Sequence, residues 1–332
     1  MKMKMSLKGW LQLGRAQTWP ATFLLVMTPF LTGECSFLQI VIIGALTWLI
    51  HVTSFGHNSL MDTAMMYDQR DQNKTHHPLI SGIIKLNTAH NIIHWGLAVL
   101  SVACAILTFF WALNPAVALI CLIGWISFGH AYNDGLSKES LFGFLAISLC
   151  FTAMGGWGWF LSNRDLNPAG IIYLAYVFFC ILYQISWSGF VKEMQVREKS
   201  NILTKMGARL NVDWKGEKKF LPNNSRFYAY LIKGAGLFLA CVICYLNFSV
   251  VRLGWTVILS VMMIFLLHKT TKPRMYERSK ELFNMSLMEI MTIYLVIPLM
   301  LGLLEATVLM LIGIAYFFGV NLILWGKPYP RV

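Results

Sequence analysis

Past an apolar stretch that ends near residue 57, the chain reads His57-Asn58-Ser59-Leu60-Met61-Asp62. It continues Tyr67-Asp68-Gln69-Arg70-Asp71-Gln72-Asn73-Lys74-Thr75-His76-His77-Pro78-Leu79-Ile80-Ser81-Gly82. Asn58 and Asp62 are at i and i+4, so a helix continued to that point carries both on one face. Asp68 and Asp71 follow within a short polar segment. Carboxylates gathered at the end of an apolar helix repel one another and resist desolvation unless a cation neutralises them. Oxygen ligands of this kind suit Mg²⁺, which keeps part of its water and is commonly shared with substrate phosphates. Arg70, Lys74 and Lys85 could then meet phosphate oxygens directly. A solvated loop behind a helix cap accounts for the same spacing equally well.

Two further groups lie downstream. One is His130-Ala131-Tyr132-Asn133-Asp134-Gly135-Leu136-Ser137-Lys138-Glu139, and the other runs from Ser188 through Lys192, Glu193, Arg197 and Glu198 to Thr204. Recurrence of acidic and basic residues at one depth suggests a shared pocket, although the third group alone reads as an ordinary loop. His90 and His94, at i and i+4, have the spacing of a metal-ligand pair. With no third ligand apparent, they read better as polar residues at a helix edge. His51 and His57 lie toward the same end of their helix. Cys241 and Cys244 form a CxxC without a second pair, and all seven cysteines read as small packing residues.

These residues have to be held by membrane-spanning helices. Of the 332 residues, 57% are apolar and 13% charged, against about a quarter charged in soluble domains. With a mean hydropathy of +0.60, this excludes a soluble globular enzyme, a disordered chain and a nucleic-acid-binding domain. Ten apolar stretches occur, at roughly 18–33, 36–57, 88–112, 115–132, 141–162, 168–190, 227–247, 250–268, 285–303 and 305–325. All but the first reach the ~20 residues that cross the hydrocarbon, and their backbones must be hydrogen-bonded within helices. No cleavable signal peptide is expected.

The 27 Lys and Arg residues fall on one side when the gaps are taken alternately. That side holds the N-terminus, the 58–87 gap, Lys138, the 191–226 gap with Lys233 at its edge, the 269–284 gap and the tail. Only Arg164 and Arg252 fall on the other. The basic side is expected to be cytoplasmic, and topology accounts for the net charge of +12 without nucleic acid. Of the fifteen acidic residues, only Glu34, Asp165 and Glu305 fall outside. Glu289, near the start of its stretch, could reach the interface or point inward.

Taken in order, the motifs resemble the UbiA superfamily of intramembrane prenyltransferases over almost the whole chain. Asn58-x3-Asp62-x5-Asp68 with His76-His77-Pro78-Leu79-Ile80-Ser81-Gly82 is similar to that family's first Asp-rich motif and the segment after it. Tyr132 and Lys138 resemble the tyrosine and basic residue that follow its fourth helix. Gly189-x2-Lys192-Glu193, with Asn201-Ile202-Leu203 and Gly207, stands where the second Asp-rich motif is found. Arg15 and Trp19-Pro20 fit the first helix.

The resemblance implies an all-α, polytopic bundle of nine to ten transmembrane helices around a central cavity. It would form a single domain over 1–332, with cytoplasmic loops 58–87, 133–140 and 191–226 as the cap. It implies Mg²⁺ held by Asn58, Asp62, Asp68 and Glu193. Arg70, Lys74, Lys192, Arg197 and Asn58 would meet the diphosphate of an isoprenyl donor. Asp62, Asp68, Tyr132 and Lys138 would carry catalysis, and Phe128 and Tyr132 could form an aromatic wall for an allylic cation. The family's second motif usually has two aspartates four residues apart. Here those positions are Glu193 and Arg197, and arginine cannot ligate a metal; its charge could replace one cation.

The leading expectation is transfer of an isoprenyl group to a hydrophobic acceptor, aromatic or lipid-like, within membrane lipid. The alternative is a UbiA-type terpene cyclase, in which the donor's own double bond captures the cation. A transporter would need carboxylates at mid-membrane and broken helices in repeat-related positions. Neither is found.

Overall fold

The computed structural model describes residues 2–66, 68–70, 74–136, 142–193, 202–214, 216–246 and 250–327. Each of the ten apolar stretches is helical. In chain order the helices are α1 (Lys2–Leu13), α2 (Trp19–Phe30), α3 (Phe37–Ala64), α4 (Leu86–Trp111), α5 (Pro115–Ala131), α6 (Phe142–Ser162), α7 (Pro168–Glu193), α8 (Ile202–Lys205), α9 (Asn223–Leu246), α10 (Val250–Thr271), α11 (Arg278–Met300) and α12 (Leu303–Trp325). Among the described residues, eight helices are long and apolar enough to cross a membrane: α3–α7, α9, α10 and α12. The stretch at 18–33 yields only α2, whose 12 residues span ~18 Å at 1.5 Å per residue, short of ~30 Å of hydrocarbon.

Local sequence sets the helix ends. Ser36 caps α3 in a reciprocal box: its hydroxyl accepts the Gln39 amide at 3.3 Å and its own amide donates to Gln39 Oε1 at 2.8 Å. Prolines open α5 and α7, where the missing N–H would have been unpaired anyway. Gly326, at φ 68, closes α12.

The chain divides into two compact units. The first comprises residues 1–129, 156–165 and 301–332, which is α1–α4, most of α5, the end of α6, and α12. Within it α3 packs on α4 and α2, and α12 packs on α2. Leu13, Leu60, Ile84, Ala89 and Ile93 form a core beneath α1. The second comprises residues 130–155 and 166–300. There α7 packs on α9 and α11, and α10 packs on α9 and α11, around Tyr183, Trp187, Leu267 and Met288.

The second unit adds a small sheet to the expected all-α fold. Strand β1 (Arg209–Asp213) pairs antiparallel with β2 (Gly216–Phe220), and β2 pairs with β3 (Arg274–Met275). Gly216 sits at φ 117, open to glycine and strained for other residues. Lys219 of β2 is buried, and its amine meets Glu281 Oε1 at 2.8 Å and the Thr270 carbonyl. Arg274 reaches the same Glu281 oxygen at 2.6 Å. Burial pushes the Lys219 amine down from its ordinary value, with the Glu281 charge opposing. Glu281→Leu would leave that cation buried without its anion, so a loss of about 3–5 kcal/mol is expected. Thermal unfolding of the purified variant checks this; an unchanged midpoint would contradict it.

Lys233 is not a loop-edge cation. It lies well inside α9 and is buried, its amine 2.9 Å from the Thr292 hydroxyl and 4.9 Å over the Tyr183 ring. Glu289 is half-buried within α11. Cys244 is buried, with its sulfur 3.2 Å from the Thr256 hydroxyl.

Candidate active site

The last turns of α3 carry Asn58 and Asp62 on one face, as the spacing predicts, and Asp62 is buried. The helix stops at Met65, and Met66 turns the chain at φ 61. A 3₁₀ turn, Asp68–Arg70, then brings Asp68 into a buried position. The Lys74 amine pairs with Asp68 Oδ1, while Asp68 Oδ2 is buried without a hydrogen-bond partner among the described residues. The His77 amide donates to the Lys74 carbonyl at 2.8 Å, and the Ser81 amide to the His77 carbonyl at 2.9 Å. The segment following the acidic motif thus curls back on itself beneath Lys74.

Burial raises the Asp68 carboxyl above the ordinary carboxylate range; the Lys74 charge opposes this and the nearby Asp62 charge reinforces it. His77 is pushed down to about 3, first by burial and then by the Lys74 and Arg15 charges. Two carboxylates in each other's field, one with an unpaired buried oxygen, form a site that gains from a divalent cation. The donor set, carboxylate and amide oxygen, fits Mg²⁺.

The His77 shift has a consequence for stability. Between its unfolded value near 6.5 and about 3, the unfolded chain binds more protons than the folded one. Stability therefore falls as pH drops below ~6.5. His77→Gln is expected to flatten the fall in unfolding temperature between pH 7 and pH 5; an unchanged slope would contradict this.

Histidines that the sequence left scattered come together in the first unit. The His57 ring stands edge-on to His94, with centroids 5.1 Å apart, and His90 stacks on His94 at 4.2 Å. His57 lies on α3, so no local spacing links it to the α4 pair. In the second unit a π-helical turn, Tyr132–Leu136, follows α5. Such turns often mark functional positions. Tyr132 is half-buried, and His130 Nδ1 lies 3.7 Å from Asp134 Oδ2. Phe128, proposed for an aromatic wall with Tyr132, is exposed. Lys85, at the start of α4, is also exposed. Asp71, Lys138 and Arg197, and the side chains of Arg70, Lys192 and Glu193, lie outside the described residues.

The sequence profile of the UbiA prenyltransferase family matches residues 18–296. The chain belongs to that family. Its span includes the acidic motif of α3, the Tyr132 turn and the Glu193 segment. The fold is similar to that of digeranylgeranylglyceryl phosphate synthase, with a TM-score of 0.59 at 15% identity, covering 95% of this chain and 98% of that one. It is also similar to a UbiA homologue from Archaeoglobus fulgidus bound to DMAPP and Mg²⁺, with a TM-score of 0.55 at 15% identity over 94% of this chain and 98% of the other. The same homologue bound to GPP and Mg²⁺ gives 0.56 at 15% identity, over 94% and 99%. No curated protein sequence matches the chain. Eight apolar helices among the described residues and this family make the protein an integral membrane protein of the UbiA prenyltransferase family.

Proposed function

We propose that the protein transfers an isoprenyl group from its diphosphate to a hydrophobic acceptor, aromatic or lipid-like. The observation that carries this reading is the pair Asp62 and Asp68 beside Lys74, with one buried Asp68 oxygen unpaired. Asn58, Asp62 and Asp68 would hold Mg²⁺. When bound, it neutralises charge gathering on the departing pyrophosphate. The relatives bound to DMAPP or GPP with Mg²⁺ support the same donor class for this chain.

The chain's own residues do the rest. Lys74 is held by Asp68 with part of its side chain exposed, so its ammonium can face a phosphate oxygen as well as the carboxylate. With Arg70, assigned to the same role on the family resemblance alone, it stabilises the charge that develops as the donor's C1–O bond breaks. The allylic cation is captured by the acceptor, which forms a bond to C1 and loses a proton. On the family resemblance alone, Lys192 and Arg197 are assigned to diphosphate charge, Glu193 to the metal, and Tyr132 and Lys138 to catalysis. The loops 58–87, 133–140 and 191–226 are assigned to the cap. The crowding of Lys and Arg on one side supports a site opening to the cytoplasm.

The test is product analysis. The purified protein is incubated with geranyl diphosphate and Mg²⁺, with and without phenolic or lipid acceptors, and the organic extract is examined by mass spectrometry. An acceptor-dependent prenyl adduct is expected. A cyclic hydrocarbon or alcohol formed without acceptor would make the protein a cyclase instead, and no product with any acceptor would overturn both.

A further inference from the structure

The ribbon formed by β1 and β2 has two unlike faces. Pairing sets Arg209 opposite Phe220 and Asn211 opposite Lys218, and alternation along each strand puts these four on one face. Leu210 and Lys219 are on the other, which is fixed to the second unit. Leu210 packs against the core around Tyr183 and Trp187. The Lys219 amine is gripped by Glu281 of α11 and by the Thr270 carbonyl of α10, and β3 extends the ladder from β2. The ribbon is therefore held firmly on α10 and α11.

The outer face and the tip have no such cover. Arg209, Asn211, Lys218 and Phe220 are exposed, and the Arg209 guanidinium lies 5.3 Å over the Phe220 ring. Val212 and Trp214 continue the face of Lys219 past the body that covers it, and are 77% and 89% exposed. Lys205, just before the ribbon, and Lys269 and Lys272, at the end of α10, are exposed as well. Among the described side chains of 202–220 and 269–280, the one exposed carboxylate is Glu277, and Lys280 pairs with it at 2.5 Å.

The ribbon also stands at a defined depth. Phe220 is three residues before Asn223, where α9 begins, and Arg274 is three after Thr271, where α10 ends. Both helices are long and apolar enough to cross a membrane. The ribbon thus starts where they leave the hydrocarbon, and its strands, ~17 Å long, are within reach of the headgroup layer. An indole ring favours that layer, and Lys and Arg beside it meet lipid phosphate there. Topology asks for basic residues on this side of the membrane; it does not ask for an exposed Trp at the end of a firmly held ribbon.

We propose that the β1–β2 ribbon docks tip first on the lipid surface of its own leaflet. Val212 and Trp214 seat among the headgroups, and Lys205, Arg209 and Lys218 bind the phosphates of anionic phospholipids. The docking is independent of the prenyl-transfer reading.

The test uses the full-length protein in nanodiscs of phosphatidylcholine brominated close to the headgroup, with or without added phosphatidylglycerol. Bromine quenches only the tryptophans it touches, so the emission lost in Trp214→Ser isolates Trp214 from the remaining tryptophans. That variant should keep the wild-type unfolding temperature, because the side chain is exposed. With phosphatidylglycerol the Trp214 emission should be quenched about twofold or more beyond its quenching without it. The triple variant Lys205→Gln/Arg209→Gln/Lys218→Gln should remove that gain, as should high salt. Trp214 emission quenched in neither lipid would overturn the docking. Quenching indifferent to phosphatidylglycerol and to the three cations would overturn anionic phosphate as its partner. Emission that follows the number of protein copies per disc instead of the lipid would assign the tip to a second copy, and would overturn the proposal too.

Discussion

Asp62→Asn is expected to reduce turnover by on the order of 10²–10³ while leaving the protein folded. The side chain is buried in the last turn of α3, and asparagine has nearly its shape and can still accept a hydrogen bond. What is lost is the charge. Without it, the site offers Mg²⁺ and the diphosphate one carboxylate in place of two, and an amide oxygen is a much weaker ligand for a hard cation. Pyrophosphate release at saturating donor, followed beside the unfolding temperature, separates this from misfolding. Near-normal turnover would remove Asp62 from the machinery.

Asp68→Asn should separate stability from function. Burial raises the Asp68 carboxyl. Its favourable contribution is therefore present below its unfolded value and lost as pH rises through the folded one. Where Asp68 is ionised, its buried charge is a burden on the metal-free fold. Asparagine removes that burden, and its carbonyl oxygen can still accept from Lys74, the partner of Asp68 Oδ1. The metal-free variant should unfold at the wild-type temperature or above. Added Mg²⁺ should raise the wild-type unfolding temperature through preferential binding to the folded state, and the rise should vanish in Asp68→Asn together with turnover. A variant that is less stable without metal, or still stabilised by it, would contradict this role.

Much of this was legible because it is local. Asn58 and Asp62 declare their shared face through helical periodicity alone, and the apolar stretches declare their helices because lipid leaves the backbone no other partner. The proline-serine-glycine segment after the acidic motif was readable for its sequence, not for the turn that places His77 beneath Lys74. What escaped depends on distant partners or on backbone conformation. Thr22 and His51, hydrogen-bonded in the structure, lie 29 residues apart, and nothing in the type of either announces the other. Arg15 fits the family's first helix by sequence, but its left-handed backbone, at φ 48, shows only in the structure. Lys233 was misread because a lysine near the start of an apolar run looks like a boundary marker, whereas α9 begins at Asn223 and carries it inside. The hairpin was missed because Lys218 and Lys219 are adjacent and both read as solvated, while the pleat turns only Lys219 into a buried pocket with Glu281.

The most direct test of the central claim is pyrophosphate release by the purified wild type given geranyl diphosphate and a hydrophobic acceptor, with Mg²⁺ and then with the metal chelated. Release with Mg²⁺ that stops on chelation and is absent in Asp62→Asn is the expected result. Release unaffected by both chelation and the substitution, or no release under any condition, would contradict an acidic site that drives departure of the donor's diphosphate.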